Sequence, residues 1–294
     1  MAETVKERDM THSQVEASYP GLAQVKAIVA FASAKGGTGK STIVANIAAA
    51  LALKGRKVGI VDGDLDAPSI APMLGLPRVR LTQTQGGFEP ASGPLGIRLV
   101  ANDPLQAETP VVFALDSSHP EPFDVPSESQ FGHFASVEDL IGRTRFGTLD
   151  LLVVDLPPGF KHAVQLSESI RQAGVVIVLP SSAAGAMAVR QALLQARRKQ
   201  MRILGLIENM AGFYCGNCHS VRPLLPSADI SALARDFDLP ILGRFPFDPR
   251  LAEACDTGRA FLREYPDLPL SKLLNEAAQT LLTATSASTA ASRV

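Results

Sequence analysis

The sequence predicts an α/β fold, a mostly parallel β-sheet sandwiched by helices. Three observations carry that expectation. Short apolar runs alternate with helix-length segments from residue 26 to residue 282, the order in which helical crossovers return the chain to parallel strands. The runs are continuously apolar rather than alternating, as strands buried on both faces are. The first of them enters a glycine-rich turn that opens directly onto a helix, which puts a phosphate-binding loop at the carboxyl edge of the sheet.

Each element follows in turn. "KAIVAFAS" (26–33) reads as the first buried strand, and "STIVANIAAALALKG" (41–55) as a helix closed by Gly55. Strands are predicted at "KVGIVD" (57–62) and "IRLVA" (97–101), a helix around "ASVEDLIGRT" (135–144), then strand "LDLLVVD" (149–155) and helix "AVQLSESIRQA" (163–173). Strand "GVVIVLP" (174–180), helix "AGAMAVRQALLQARRKQ" (184–200), strand "RILGLIEN" (202–209) and helix "SADISALARDF" (227–237) continue the alternation. It ends with strand "LPILGRF" (239–245) and a helix near "LPLSKLLNEAAQTLL" (268–282). Three segments stand outside it. Residues 1–24 read as a flexible lead-in, 104–134 as a proline-rich surface insertion, and 283–294, rich in Ser, Thr and Ala, as a disordered tail. A single domain over 25–282 is expected.

Composition narrows the function. With 28 basic and 29 acidic residues the formal charge is -1, which suits neither a nucleic-acid nor an acidic-membrane surface. Three cysteines are too few for a disulfide framework and favour a reducing compartment. No run reaches the roughly 18 to 20 apolar residues of a spanning helix. "AIVAFASA" (27–34) imitates a signal-peptide core, but cleavage there would remove the strand that presents the glycine loop. A cytoplasmic protein is expected.

The loop "ASAKGGTGKST" (32–42) ends as nucleotide loops do, in Gly39-Lys40-Ser41. Where the generic pattern wants a glycine it has Ala34, followed by a second lysine, Lys35. Backbone N–H groups from Gly36 to Thr42 can curl around phosphate oxygens, with Lys40 reaching the β- and γ-phosphates and the Ser41 hydroxyl on Mg²⁺. Asp155, ending "LLVVD", sits where a Walker-B carboxylate supports the magnesium. Asp62 and Asp64 end the second strand on the same edge, where a turn lets both converge on the metal and the attacking water.

"KGGTGKST" resembles the deviant Walker A motif of the MinD/ParA superfamily, within the SIMIBI class of P-loop NTPases, with Lys35 as its signature lysine. The resemblance implies an ATP-bound dimer in which Lys35 reaches the partner's phosphates, as an arginine finger does.

Farther along, Cys215 and Cys218 stand in C-x-x-C spacing in what reads as a loop, with His219 completing C-x-x-C-H. That pattern admits metal binding, redox chemistry, zinc shared with outside ligands, or, in an exported protein, haem attachment. Two such pairs facing across a two-fold axis supply four thiolates, the complement of a 4Fe–4S cluster.

"ENMAGFYCGNC", "DLPPG", "DGDLDAPSIAPMLGL" and "ILGRFPFDPRLAEACDTG" together resemble the Mrp/ApbC branch of iron–sulfur cluster carriers, over about residues 25–262. The resemblance implies a homodimer with slow ATP hydrolysis and a 4Fe–4S cluster bridging the subunits on Cys215 and Cys218. It also implies apo iron–sulfur proteins or assembly factors as clients, without nucleic acid or membrane. Catalytic roles fall on Lys35, Lys40 and Asp64, and magnesium, direct or through water, on Ser41, Asp62 and Asp155. The adenine is expected at Asn209, Pro246 and Asp248. Where the family continues "DLPPG" with Thr-Gly-Asp, this chain has Phe160-Lys161-His162. Lone Cys255 reads as a small packed residue. Two other classes fit parts of the pattern: a MinD/ParA-like positioning ATPase, and a zinc-stabilised regulatory ATPase dimer.

Overall fold

Side-chain alternation along the strands decides which layer of the core each residue enters. The computed structural model describes residues 19–65, 67–76, 79, 81–84, 87–101, 136–224 and 228–291. A 3-10 turn at Pro20–Leu22 leads into β1 (Ile28–Ala32), and the glycine loop connects β1 to α1 (Lys40–Leu53) and then β2 (Val58–Asp62). A short helix α2 (Ile70–Met73), the hairpin β3 (Thr82–Thr84) with β4 (Gly87–Glu89), and β5 (Ala91–Ser92) precede β6 (Arg98–Ala101). Then come α3 (Val137–Gly142), β7 (Leu151–Asp155), α4 (Lys161–Ser169), β8 (Gly174–Pro180) and α5 (Ala183–Arg198). The chain closes with β9 (Ile203–Tyr214), β10 (Val221–Arg222), α6 (Ile230–Asp236), β11 (Ile241–Phe247), α7 (Pro249–Asp256), α8 (Phe261–Glu264) and α9 (Pro269–Ala291).

Among the described residues the main sheet runs β10-β9-β8-β1-β7-β2-β6-β5, with β11 also pairing β9. Its pairs are parallel except β5–β6 and β9–β10, so the expected mostly parallel sheet is present. Val29 and Phe31 of β1, with Leu151 and Val153 of β7, face a core layer built by α1, α7, α8 and α9. Ile28, Ala30, Leu152 and Val154 face the layer of α3, α4, α5 and α6. Each large apolar side chain buried this way contributes about 1.5–3 kcal/mol.

Past its polar first turn α1 carries only Asn46 among apolar residues on every face, which marks a helix enclosed on its sides rather than lying on a surface. It packs between the sheet and α9, and Ala45, Ala48, Ala49 and Ala50 are small enough for that approach.

Three sequence expectations change. Residues 19–24, assigned to the lead-in, carry the 3-10 turn, whose Leu22 is buried, and Val25 bridges to Leu149. The last helix continues to Ala291, past the expected end at 282. Alanine is the best helix former, Thr283 donates back to the Gln279 carbonyl, and Arg202 donates to the Ala284 carbonyl. The cysteine segment is the turn of a hairpin rather than a free loop, because β9 runs on to Tyr214 and folds back as β10. The expected insertion at 104–134, residues 1–18 and 292–294 lie outside the described residues.

Candidate functional site

The glycine loop needs its glycines at two positions. Gly37 and Gly39 both sit at φ 74°, the left-handed region that a side chain disfavours. Gly39 is also the residue before α1, and a Cβ there would come within 2.3 Å of Asn209 Nδ2. Lys40 opens the helix with its side chain almost fully buried, and its Nζ lies 2.5 Å from Asp155 Oδ1. Lys35, by contrast, is exposed. Ser41 and Thr42 are half-buried on the first turn, and Thr38 is buried.

β1, β7 and β2 are neighbours, and their register sets Phe31 beside Asp155 and Asp155 beside Asp62. By alternation both aspartates point to the α1 side of the sheet, where Lys40 begins. Asp62 Oδ2 accepts from the Ser69 and Ile70 N–H groups at 2.7 and 2.8 Å, and Oδ1 accepts from Asp64 N at 3.3 Å. Asp64 is half-buried in the following turn and accepts from Ala67 N at 3.3 Å. Gly63 N donates to the Asp155 carbonyl at 2.7 Å and ties the two strand ends together. Pro158 packs beside Gly36, and Gly159 N donates to the Ser33 carbonyl at 3.1 Å. Phe160, Lys161 and His162 therefore start α4 next to the glycine loop.

Two carboxylates share this buried corner with one lysine. Burial raises the Asp155 carboxyl, and the Lys40 charge opposes that rise. Burial and the Asp155 charge push Asp62 up to about 7, against its three backbone hydrogen bonds. Its ordinary value is 3.8, so between about pH 4 and pH 7 the folded chain holds a proton that the unfolded chain has released. Stability therefore falls as pH rises through that window. In magnesium-free buffer the melting temperature should drop by roughly several degrees between about pH 5 and pH 7.5, and Asp62→Asn should flatten the slope. An unchanged slope in the variant would assign the effect elsewhere.

The donor set fits a hard divalent cation. Asp155 Oδ2 is buried without a hydrogen-bond partner among the described residues, and the Ser41 hydroxyl and Asp62 carboxylate add oxygen donors of the kind Mg²⁺ prefers. The glycine turn beside them offers backbone N–H groups to phosphate oxygens.

The expected base-side residues divide. Asn209 is where β8 stops pairing with β9, and its Nδ2 donates to the Thr38 carbonyl at 2.8 Å, so it braces the glycine loop itself. Phe245 of β11 pairs with Asn209, which brings buried Pro246 to the same end of the sheet. Asp248 caps α7, and its carboxylate is already engaged. Arg250 donates Nε to Oδ1 at 2.9 Å and a terminal nitrogen to Oδ2 at 2.7 Å.

Cys215 and Cys218 occupy the turn of the β9–β10 hairpin. Cys215 N donates to the Ser220 carbonyl, and His219 N to the Cys215 carbonyl. Both thiols are free, Cys215 half-buried and Cys218 exposed. The Ser220 hydroxyl and N–H, helped by Cys215 and Arg222, draw the Cys218 thiol down to about 7. Cys218 is thus substantially thiolate near neutrality, the form that binds metal. Among the described residues no group of three or more His, Cys, Asp or Glu is gathered for a metal, so this pair stands without a third such donor. Cys255 is buried against α1, where Asn46 Nδ2 lies 3.5 Å from its sulfur and burial pushes its thiol up. Tyr214 and Arg250, which with His219 surround the hairpin base, escaped the sequence reading. The one signal they offered was an arginine two residues after Asp248.

A model of the family described as "ParA: NUBPL iron-transfer P-loop NTPase" matches residues 24–119 and 131–282. The chain belongs to that family. The gap in the match, 120–130, falls inside the proline-rich segment. This NUBPL-type NTPase is 34% identical over 255 residues to the iron-sulfur cluster carrier protein of Saccharolobus solfataricus, covering 85% of this chain and 81% of that protein. It is 33% identical over 276 residues to the cytosolic Fe-S cluster assembly factor NUBP2 of Bos taurus, covering 92% and 98%.

Among solved structures, it is similar to a nucleotide-binding protein of Archaeoglobus fulgidus in complex with ADP, with Co found by PIXE. Identity is 28% and the TM-score 0.66, with 89% of this chain and 98% of that chain covered. The septum site-determining protein MinD of Pyrococcus horikoshii, complexed with Mg-ADP, shares the fold at 20% identity and a TM-score of 0.56, covering 87% and 95%. No helix among the described residues is long and apolar enough to cross a membrane.

Proposed function

We propose that this NUBPL-type protein is an ATP-hydrolysing carrier that, as a homodimer, assembles or delivers 4Fe–4S clusters to apoproteins. The observation that carries it is the free cysteine pair, Cys218 exposed and Cys215 half-buried, on a hairpin whose own strand braces the glycine loop through Asn209. In this reading backbone groups from Gly36 to Thr42 and the Lys40 ammonium hold the phosphates, and Ser41, Asp62 and Asp155 hold magnesium. When bound, magnesium neutralises charge on the phosphoryl oxygens. Asp64, beside Asp62, orients the attacking water. Lys35, exposed on the loop, meets the partner's phosphates. Asn209, Pro246 and the 246–248 backbone border the base, since the Asp248 carboxylate is turned to Arg250.

The cluster is cargo. Two chains bring four thiolates from Cys215 and Cys218, which suits one 4Fe–4S unit, and a ligand set split between subunits releases it when the interface opens. Clients are apo iron–sulfur proteins or assembly factors. The relatives' names support a cytosolic setting.

A shared active site has a direct test. Lys35→Ala and Asp64→Ala should each bind ATP with near-parent affinity and hydrolyse it at least about tenfold more slowly, as losses of transition-state contacts do. Mixed, they should regain part of the activity, because one of the two composite sites in a heterodimer is then whole. No recovery at any ratio, with subunit exchange demonstrated, would argue for sites that act alone.

A further inference from the structure

β9 reaches the cysteines by an interrupted route. Its pairing with β8 ends at Asn209. The next residue, Met210, sits at φ 55°, and the register with β11 shifts between Phe245 and Phe247, opposite Asn209 and Phe213. A regular ladder therefore does not connect the loop-bracing asparagine to the hairpin. Beyond the break the hairpin base rests on two ring contacts, one with the last residue of β11 and one with α7. Phe213 stacks on Phe247 at 6.5 Å, and the Arg250 guanidinium lies 5.2 Å from the centre of the Tyr214 ring.

Arg250 makes three contacts at once. Its edge grips both oxygens of Asp248, and its carbon lies over the Tyr214 ring and 5.5 Å from the Tyr265 ring centre. Tyr214 is buried, and its hydroxyl is 3.0 Å from His219 Nδ1. His219, itself left-handed at φ 55°, closes the cysteine turn by donating its N–H to the Cys215 carbonyl at 2.9 Å. A continuous series of contacts thus runs from Asp248 through Arg250, Tyr214 and His219 to Cys215. A planar guanidinium can be held at its edge and its faces together; an ammonium cannot.

We infer that Arg250 is a positioning residue that couples the base-side segment at Asp248 to the cysteine hairpin, so that nucleotide binding alters the exposure of the Cys215–Cys218 pair. The inference rests on the nucleotide reading proposed above. A ligand that shifts Asp248 moves the guanidinium and with it the ring that seats the hairpin.

The test uses cluster-free protein under reducing conditions. The alkylation rate of Cys218 is followed by mass spectrometry with and without saturating Mg-ATP, and ATP affinity is measured by calorimetry in the same samples. In the parent, nucleotide should change the rate by about fivefold or more, the usual scale of site-to-site coupling. In Arg250→Met and Arg250→Lys the rates with and without nucleotide should converge to within about twofold, while ATP affinity stays within about threefold. Tyr214→Phe keeps the ring and removes the link to His219, so it should weaken the response without abolishing it. This variant also carries the test should the arginine variants fold poorly. ATP bound by the parent with no change in thiol rate, or a full response in the arginine variants, would overturn the coupling alone. No ATP binding by the parent would overturn the nucleotide reading and the coupling with it.

Discussion

Serine at either Cys215 or Cys218 should leave the protein unable to retain iron. Anaerobic reconstitution is expected to load the parent with about four irons per dimer, the stoichiometry of one four-thiolate site, and to leave each variant with close to none. The physical reason lies in the hairpin. Each chain offers two thiols and, among the described residues, no third donor of the metal-binding type beside them. One substitution therefore removes two of the four thiolates in a dimer. Cys218, drawn down to about 7 by Ser220 and its neighbours, is ready to ligate at neutral pH, and a serine hydroxyl is not. Cys255→Ser is the matched control. Its thiol is buried and pushed up, and it packs on Asn46 far from the hairpin in sequence, so iron content should be unchanged. Stoichiometric zinc that iron cannot displace, or a cluster retained by the double variant, would move the protein to a zinc-stabilised regulatory role.

Lys40→Ala should lose two things that must be measured separately. ATP affinity should fall by about a hundredfold or more, the weight of one to two charge-assisted hydrogen bonds to phosphate. Stability should fall as well, because Asp155 is fully buried and Lys40 is its ion-pair partner. Removing one member of a buried pair costs about 3–5 kcal/mol when the other stays charged. Protonation of Asp155, already favoured by burial, limits that cost. Lys40→Ala with Asp155→Asn should therefore recover most of the lost melting temperature without recovering ATP binding. Calorimetry and thermal melts on the single and double variants separate the two effects. Parent-like affinity in Lys40→Ala would remove the nucleotide reading.

Legibility in the sequence followed locality. The glycine loop was readable because left-handed backbone at Gly37 and Gly39 restricts residue type. The strands were readable because burial on both faces forces unbroken apolar runs. Asp155 and Asp62 were readable because each ends such a run, and register then made them neighbours. The hairpin was not. "NMAGFYC" has no clean alternation, since Met210 turns left-handed and the register slips there, so a strand that continues to Tyr214 looked like a loop. The bracing of Thr38 by Asn209 joins residues 171 apart, and nothing local announces it. Arg250 was hidden for a similar reason. Its bond to Asp248 is local, but its contacts with Tyr214 and Tyr265 exist only once β9, α7 and the segment before α9 have met.

The enclosure of α1 has a mechanical consequence. The helix that begins with Lys40 is wedged between the sheet and α9, and it cannot travel without opening the core. Whatever the ligand does at that end, the anchor stays put. Any displacement a ligand drives would have to arise where the chain is thinly tethered, and the two-residue β10 rung, paired among the described residues through Val221 and Arg222, is such a place. The packed core around α1 is a fixed jaw, and the cysteine hairpin lies outside it.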